Sequence, residues 1–383
     1  MNTRIPRFLL TVLVALACGG AGRAEGGLTA REAAAEAARQ LDALRRADAA
    51  TNRSIWADSV VVCDSLRMPL LYKVLGAAPP DGRSLYISLH GGGNTPAAVN
   101  DQQWRNQIAL YTPAEGVYVA PRAPFDDWNM WFRPQMDDFF GTLIWSAVCT
   151  QGVSPDKVYL LGYSAGGDGV WRMAPRMADR WAAASMMAGH PGESSQVNLL
   201  HVPYMIWMGE LDAAYDRNRL AAERGAVMDS LAAAAPGGYV HETHLVAGKG
   251  HWMDRADTAA IGWMAQFRRE ACPRRVVWRQ EQTVRPALYW LEVDPAEARE
   301  GMRVDAAVAD NVVTIARCDY RELTVCLNDE LADLDRPVTV RYAGRVLFSG
   351  RVERRAATIA RTVRERRDPR LVYCAEIHVA LPH

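Results

Sequence analysis

Val158-Tyr-Leu-Leu161 runs directly into Gly162-Tyr-Ser-Ala-Gly166, and the segment beyond, Asp168 to Ala178, can continue as a helix. An apolar run of β-branched and aromatic residues reads as a buried strand. A serine held between small residues then marks a sharp strand-to-helix turn, where a Cβ two positions to either side would clash. Such a turn lifts the Ser164 hydroxyl out of the sheet and aims a helix N-terminus at whatever reacts there. Few chains without a parallel sheet can supply this context, so the stretch constrains the fold before it says anything about chemistry.

A second strand, Ser84-Leu-Tyr-Ile-Ser-Leu89, ends in His90-Gly91-Gly92-Gly93. Backbone N–H groups can stabilise the oxyanion of a tetrahedral intermediate only where no side chain blocks their approach, so Gly91 and Gly92 are candidate donors with Ala165, the residue after the serine. A glycine-rich loop kept for its turn geometry is the plainer reading. Phosphate binding is the weaker one, because neither GxxxxGK[ST] nor a dinucleotide fingerprint is present. Downstream, Pro203-Tyr-Met-Ile-Trp-Met-Gly-Glu-Leu-Asp212 places a carboxylate after a strand, with Asp216 as its nearest rival. His251 follows on the glycine-flanked loop Gly248-Lys-Gly-His-Trp252, after the alternating strand Tyr239 to Val246. A histidine there can reach Ser164 as general base while Asp212 fixes its tautomer. His190, His201, His241 and His244 compete. His241 and His244 fall inside a strand pattern, whereas His190, in Ala188-Gly-His-Pro191, follows an apolar run and can border a pocket.

The order Ser164, Asp212, His251 is that of the α/β-hydrolase triad and differs from the orders in the chymotrypsin and subtilisin folds. On His90-Gly-Gly-Gly93, Gly162-Tyr-Ser-Ala-Gly166, Gly209-Glu-Leu-Asp212 and Gly250-His251, residues from about 66 to 270 resemble an α/β-hydrolase of the secreted esterase type. The resemblance lies near the polyhydroxybutyrate-depolymerase-like, feruloyl-esterase-like and dienelactone-hydrolase-like branches. It implies an α/β fold with a mostly parallel sheet flanked by helices. It also implies a serine nucleophile, a histidine base, an aspartate orienter and no cofactor. The elbow, Gly162 to Gly169, is richer in glycine than is usual, which lets a neighbouring element pack close to the first turn of the helix.

The N-terminus reads as an address. Arg4 and Arg7 precede the apolar core Phe8 to Cys18, and small residues run from Gly19 to Ala24, so residues 1–24 read as a secretory signal peptide. The apolar stretch is too short to span a bilayer. Cys18 after Ala15-Leu-Ala17 is similar to a lipoprotein processing site. Ala15 stands where leucine is usual, so a soluble exported protein is preferred over a lipid anchor. Export sets the redox context: the six remaining cysteines, Cys63, Cys149, Cys272, Cys318, Cys326 and Cys374, are even in number and permit disulfides in fifteen pairings. No Cys/His spacing suggests a metal site. Lys+Arg and Asp+Glu are 44 each, which gives bulk electrostatics no preference for nucleic acid or an anionic membrane.

With 383 residues, one large domain plus an accessory piece is expected. Residues 25–55 form an N-terminal helical segment, Leu28 to Ala50 being rich in helix formers with Thr29 as N-cap. Residues 56–272 form the catalytic domain. It opens with antiparallel strands Ser59–Cys63 and Met68–Leu75, and includes a strand at Val117–Ala120 and a helix at Asp137–Gln151. From 273 to 383 the texture becomes short strands: Arg275–Trp278, Ala287–Val293, Val312–Ile315, Leu323–Leu327, Pro337–Tyr342, Val346–Phe348 and Tyr373–Leu381. One helix, Thr358–Arg367, interrupts them, and together they read as a small β-sandwich-like domain. Carbohydrate or polymer binding is one role for it. Covering the hydrolase is the favoured one, since Trp278, Tyr289, Trp290 and Tyr342 sit where core burial explains them.

The substrate pocket is drawn from Asp127-Trp-Asn-Met-Trp-Phe132, with Trp128 and Trp131 as lining, together with Trp252 and His190. Arg122 and Arg133 can recognise an anionic substrate group, though surface roles suit them better. The expected activity is carboxylic-ester hydrolysis through an acyl-enzyme, on a small-molecule or polymeric ester. A serine peptidase on the same fold and a non-catalytic binding protein are the alternatives. Acyl-chain preference and oligomeric state are open.

Overall fold

A computed structural model describes residues 27–382 of the chain. The signal-peptide reading of residues 1–24 and the question of Cys18 lie outside the described residues. Two helices come first, α1 (Ala30–Ala47) and α2 (Ala49–Ala57), parted at Asp48. Thr29 caps α1 in a reciprocal capping box with Glu32, as its sequence position anticipates. The Ala/Arg/Glu run from Leu28 to Ala50 is thus essentially α1, and α2 extends the helical segment beyond it.

Next come β1 (Val60–Cys63), β2 (Leu66–Leu75), β3 (Arg83–Leu89), α3 (Ala97–Leu110), β4 (Gly116–Pro121), α4 (Met136–Thr150), β5 (Val153–Tyr163), α5 (Ala165–Arg176), β6 (Ala183–Met187), β7 (Tyr204–Gly209), α6 (Arg217–Ala234), β8 (His241–Val246) and α7 (Ala259–Met264). Their strands make one eight-stranded sheet in the order β1-β2-β4-β3-β5-β6-β7-β8. The six strands from β4 to β8 pair in parallel, while β1 and β2 form an antiparallel edge. This is the mostly parallel, helix-flanked sheet that the elbow demands.

Alternation along the strands gives the sheet two buried faces. Leu85, Ile87, Val117, Val119, Val158 and Leu160 join a core with α4 and α5. Tyr86, Tyr118, Tyr159 and Tyr163 point the other way and pack with residues of α3 and α7. Burying phenol rings here requires partners for their hydroxyls: Tyr118 donates to the Gln107 carbonyl at 2.7 Å and Tyr159 to that of Phe267 at 2.9 Å.

The C-terminal part holds β9 (Arg275–Arg279), β10 (Ala287–Leu288), β11 (Leu291–Glu292), β12 (Arg303–Ala309), β13 (Val312–Cys318), β14 (Glu322–Leu327), β15 (Val338–Tyr342), β16 (Arg345–Gly350), α8 (Ala356–Arg366) and β17 (Ala375–Ala380). They form a four-stranded sheet, β10-β11-β14-β17, and a five-stranded one, β16-β15-β13-β12-β9. Pairing is antiparallel except between β13 and β15. Ala287–Val293 is not a single strand. It folds back at Tyr289, whose φ is +51°, so that Tyr289 and Trp290 both turn into the core. The Tyr289 hydroxyl reaches the Ala178 carbonyl at 2.8 Å, and the Trp290 indole donates to the Pro273 carbonyl at 2.7 Å.

One apolar core runs from Ala33 through the eight-stranded sheet to Leu381, without a break at position 272. Helix α1 packs on α8. Buried ion pairs also cross the junction: Arg269 meets Asp368 at 2.6 Å, and Arg180 meets Asp368 at 3.1 Å. All six described cysteines are free thiols, so the evenness of their number does not translate into bridges among the described residues. Among those residues, no helix is long and apolar enough to cross a membrane.

Candidate active site

Every element of the site leaves the carboxyl end of a parallel strand, the edge at which such sheets open a crevice. Ser164 stands between β5 and α5 with φ +58° and ψ −122°, a strained conformation for a residue with a Cβ. The glycines around it are steric necessities. A Cβ on Gly162 would lie 2.4 Å from the Gly166 carbonyl oxygen, and one on Gly166 would lie 2.1 Å from that of Leu89. Further into α5, a Cβ on Gly169 would meet that of Trp131 at 2.6 Å, so the extra glycines do admit a close neighbour.

His251 and Asp212 come to the serine from the ends of β8 and β7. The Nδ1 atom of His251 is 2.7 Å from Asp212 Oδ2, and its Nε2 is 2.9 Å from Ser164 Oγ. With Nδ1–H donated to the carboxylate, Nε2 is left to accept the hydroxyl proton. Asp212 is 3% exposed, so its charge is directed at the imidazole and little at solvent. The histidine loop fits because β7 ends in glycine: a Cβ on Gly209 would lie 2.0 Å from the Gly250 carbonyl. Tyr163 secures that loop, donating its hydroxyl to the His251 carbonyl at 2.6 Å and accepting the Met253 N–H at 3.2 Å.

The rivals are engaged elsewhere. Asp216 pairs with Arg219, His241 with Asp229, and His201 with Glu270. His244 stacks on Trp207 with ring centroids 4.2 Å apart.

A cleft of about 390 Å³ opens at Ser164, lined on the loop side by Gly92, Gly93, Asn94 and Trp128 and on the helix side by Ala165, Asp168 and Arg172. His190, Tyr215 and Arg217 complete it. Gly92 and Ala165 thus border the cleft as the motif suggests. Gly91 does not: it packs against the serine itself, where a Cβ would stand 3.2 Å from Ser164 Cβ. The N–H of Gly93 is already given to Asn100 Oδ1 at 2.8 Å.

The loop is held by buried polar groups. Asn100, fully buried, also accepts from Thr95 Oγ1 and donates to Asp126. His90, fully buried too, sets Nδ1 2.6 Å from the Gly91 carbonyl and takes the Ala123 N–H on Nε2 at 3.2 Å, a neutral ring with both nitrogens used. Burial pushes its pKa down to about 4, so it stays neutral. Arg122 binds Asp101, Asp126 and the carbonyls of Ala123 and Phe125. It is a brace for the loop and has no free fork for a substrate. Arg133 is likewise spent, on Asp127 and the face of Phe125.

Two aromatic expectations change. Trp131 is fully buried, donates its indole N–H to the His90 carbonyl at 2.9 Å and packs between His90 and Phe140, so it supports the loop from within and lines no pocket. Trp252, 48% exposed, leans on Tyr163 and is not part of the cleft lining. Trp128 and His190 do line it. Asp168, Arg172, Tyr215 and Arg217 escaped the sequence reading, because charged residues on helix faces and in turns look like solvated surface until the fold turns them inward.

No family model matches the chain. Over 156 residues it is 32% identical to NocK, a protein of Nocardia uniformis subsp. tsuyamanensis assigned as an esterase; the match covers 37% of this chain and 42% of NocK. The chain therefore spans less than half the length of that relative. Among solved structures it is similar to a thermostable esterase, with a TM-score of 0.41 and 18% identity over 55% of this chain and 64% of that one. A feruloyl esterase module from Clostridium thermocellum gives 0.37 and 13%, covering 54% and 86%. The Staphylococcus aureus serine hydrolase FphF gives 0.38 and 13%, covering 54% and 96%.

Proposed function

We propose that the protein is an exported serine hydrolase that cleaves carboxylic esters through an acyl-enzyme. The reading rests on one observation above all: the continuous chain Asp212–His251–Ser164, with bonds of 2.7 and 2.9 Å, set on a strained elbow at the floor of a cleft. The similarity to NocK, a protein assigned as an esterase, agrees with it.

Ser164 Oγ attacks the ester carbonyl carbon as its proton passes to His251 Nε2, and Asp212 stabilises the imidazolium that forms. Charge developing on the carbonyl oxygen meets the N–H groups of Gly92 and Ala165, the latter at the N-terminus of α5. Collapse breaks the C–O bond, and His251 returns the proton to the departing alkoxide. Water then repeats the sequence on the acyl-serine and releases the acid. The C-terminal sheets act as a brace for the catalytic part, in keeping with the shared core and the ion pairs around Asp368.

The test is turnover of nitrophenyl esters from acetate to laurate, with feruloyl esters and an aminoacyl amide alongside, by wild type and Ser164→Ala. Ester cleavage lost in the variant supports the reading. Cleavage of the amide alone makes the protein a peptidase, and ester cleavage that survives in Ser164→Ala removes the serine from the mechanism.

A further inference from the structure

The cleft beside Ser164 is lopsided in charge. Arg172 and Arg217 both line it. Arg172 lies eight residues along from Ser164, roughly 12 Å of helix rise, and helical side chains lean back toward the N-terminus, here toward the serine. Its guanidinium sits 4.1 Å over the Phe132 ring, and Nη1 donates to the carbonyls of Asp168 and His190, both at 3.2 Å. Among the described residues it has no carboxylate within ion-pair distance. Arg217 stacks on Tyr215 at 4.9 Å and donates from Nη1 to the Ala214 carbonyl at 3.5 Å, while its buried Nε has no hydrogen-bond partner. Its closest carboxylate, Asp212 Oδ1, is 3.7 Å from Nη1, beyond a hydrogen bond.

Of the acidic groups nearby, Asp212 holds His251, and Asp168 Oδ1 accepts the His190 N–H at 2.6 Å, while Glu193 and Glu281 line a neighbouring pocket that Arg172 also borders. The His190 ring adds a neutral donor: its Nδ1 takes the Gly192 N–H at 3.0 Å, which leaves the proton on Nε2. Two guanidinium groups and an imidazole N–H therefore border one small cleft, and neither guanidinium has a carboxylate within hydrogen-bond distance.

We propose that this cleft selects esters bearing a carboxylate close to the scissile bond, with Arg172 and Arg217 as its receptors. The proposal rests on the ester-hydrolase reading and names the substrate class for that site. Guanidinium forks match a carboxylate in shape and charge and bind it through charge-assisted bonds. About 390 Å³ lies toward the small end for ligand sites, so the ester and the anion must be near neighbours in a compact molecule, such as a monoester of a short dicarboxylic acid or an ester of a small hydroxy acid. Exposed Trp128 and Tyr215 then form an aromatic rim around it.

Two matched pairs of substrates test this. Mono-(4-nitrophenyl) adipate against its methyl ester puts the charge on the acyl side, and 4-acetoxybenzoate against methyl 4-acetoxybenzoate puts it on the leaving group. In at least one pair the charged member is expected to have kcat/KM about tenfold or more above its neutral partner at low ionic strength, with the ratio shrinking in about 0.5 M salt. Arg172→Gln and Arg217→Gln are expected to collapse the same ratio toward one. Because a ratio is read within each preparation, loss of folded or active enzyme cancels. Neutral members hydrolysed as well as or better than charged ones in both pairs, with all turnover lost in Ser164→Ala, would overturn the carboxylate proposal and leave the hydrolase reading standing. Turnover of no ester in either pair would overturn both.

Discussion

Asp368→Asn removes the keystone between the C-terminal sheets and the eight-stranded sheet. The carboxylate is buried and accepts four hydrogen bonds: Oδ2 from Arg180 Nη1 at 3.1 Å and Arg269 Nη1 at 2.6 Å, Oδ1 from Arg269 Nη2 at 3.1 Å and the Arg370 N–H at 2.8 Å. Asparagine keeps one oxygen and turns an N–H toward a guanidinium. A hydrogen bond to a charged group contributes about 1.5–3 kcal/mol. Two lost bonds therefore agree with the cost of about 3–5 kcal/mol for removing one partner of a buried ion pair. At about 2 °C per kcal/mol for a unit of this size, the melting temperature falls by about 6–10 °C. Calorimetry at neutral pH reads it directly.

The pH dependence carries a second signature. Burial by itself would raise the Asp368 pKa, but the Arg269 and Arg180 cations hold it below the usual carboxylate value. A depressed folded-state pKa means that the stabilisation is complete above about pH 4 and is lost as pH falls through the lower native value, so the gap between wild type and variant narrows only on the acid side. Activity at low temperature should persist. The network lies past the C-terminal end of α5, whose 12 residues separate it from Ser164 by about 18 Å. A loss under about 1 kcal/mol at neutral pH would refute the idea that this carboxylate ties the two parts together.

Other outcomes follow from the same geometry. Asp212→Asn leaves the histidine loop in place but offers Nδ1–H the wrong partner, and kcat/KM should fall by about 10³- to 10⁴-fold with the melting temperature little changed. Gly166→Ala drives a Cβ to within 2.1 Å of a backbone oxygen that cannot swing aside. It should destabilise the fold by about 3 kcal/mol, the upper end of the usual cost of overpacking, visible as a lower denaturation midpoint. Burial pushes the Glu281 pKa up to about 7 from 4.5, the Arg279 charge opposing only in part. The native state thus holds a proton that the unfolded chain has released, and stability drops as pH rises from 4.5 to about 7. Glu281→Gln should remove that penalty: relative to wild type it gains about 3 kcal/mol at pH 8 and almost nothing at pH 4.5, by thermal melts at both pH values.

What the sequence disclosed was whatever is encoded locally. The strand-to-helix turn at Ser164, the glycine loop after β3 and the chain order of Ser164, Asp212 and His251 each need only a strand, a turn and a position in the chain, and the parallel sheet follows from them. Gly91 fails as a cleft residue because which of three consecutive glycines faces the crevice depends on φ values of +100° and +75° at Gly92 and Gly93, set by Asn100 from another element. Trp131 looks like its neighbour Trp128 in sequence, yet one turn of chain separates full burial from 57% exposure. Strand β12 hides because Arg303-Val-Asp-Ala-Ala-Val-Ala309 is short of β-branched residues, and Asp305 is tolerated inside the sheet through Arg275 on the paired strand and Arg303 on its own. Arg172 and Arg217 are legible as cleft residues only once α5 and α6 are packed.

The most direct measurement is intact-protein mass spectrometry with peptide mapping after exposure to a small sulfonyl fluoride. One adduct is expected, located on Ser164, formed in step with loss of ester turnover, absent from Ser164→Ala and much slowed in His251→Ala. An active enzyme that hydrolyses esters while Ser164 stays unmodified, or whose inactivating adduct maps to another residue, would contradict that expectation.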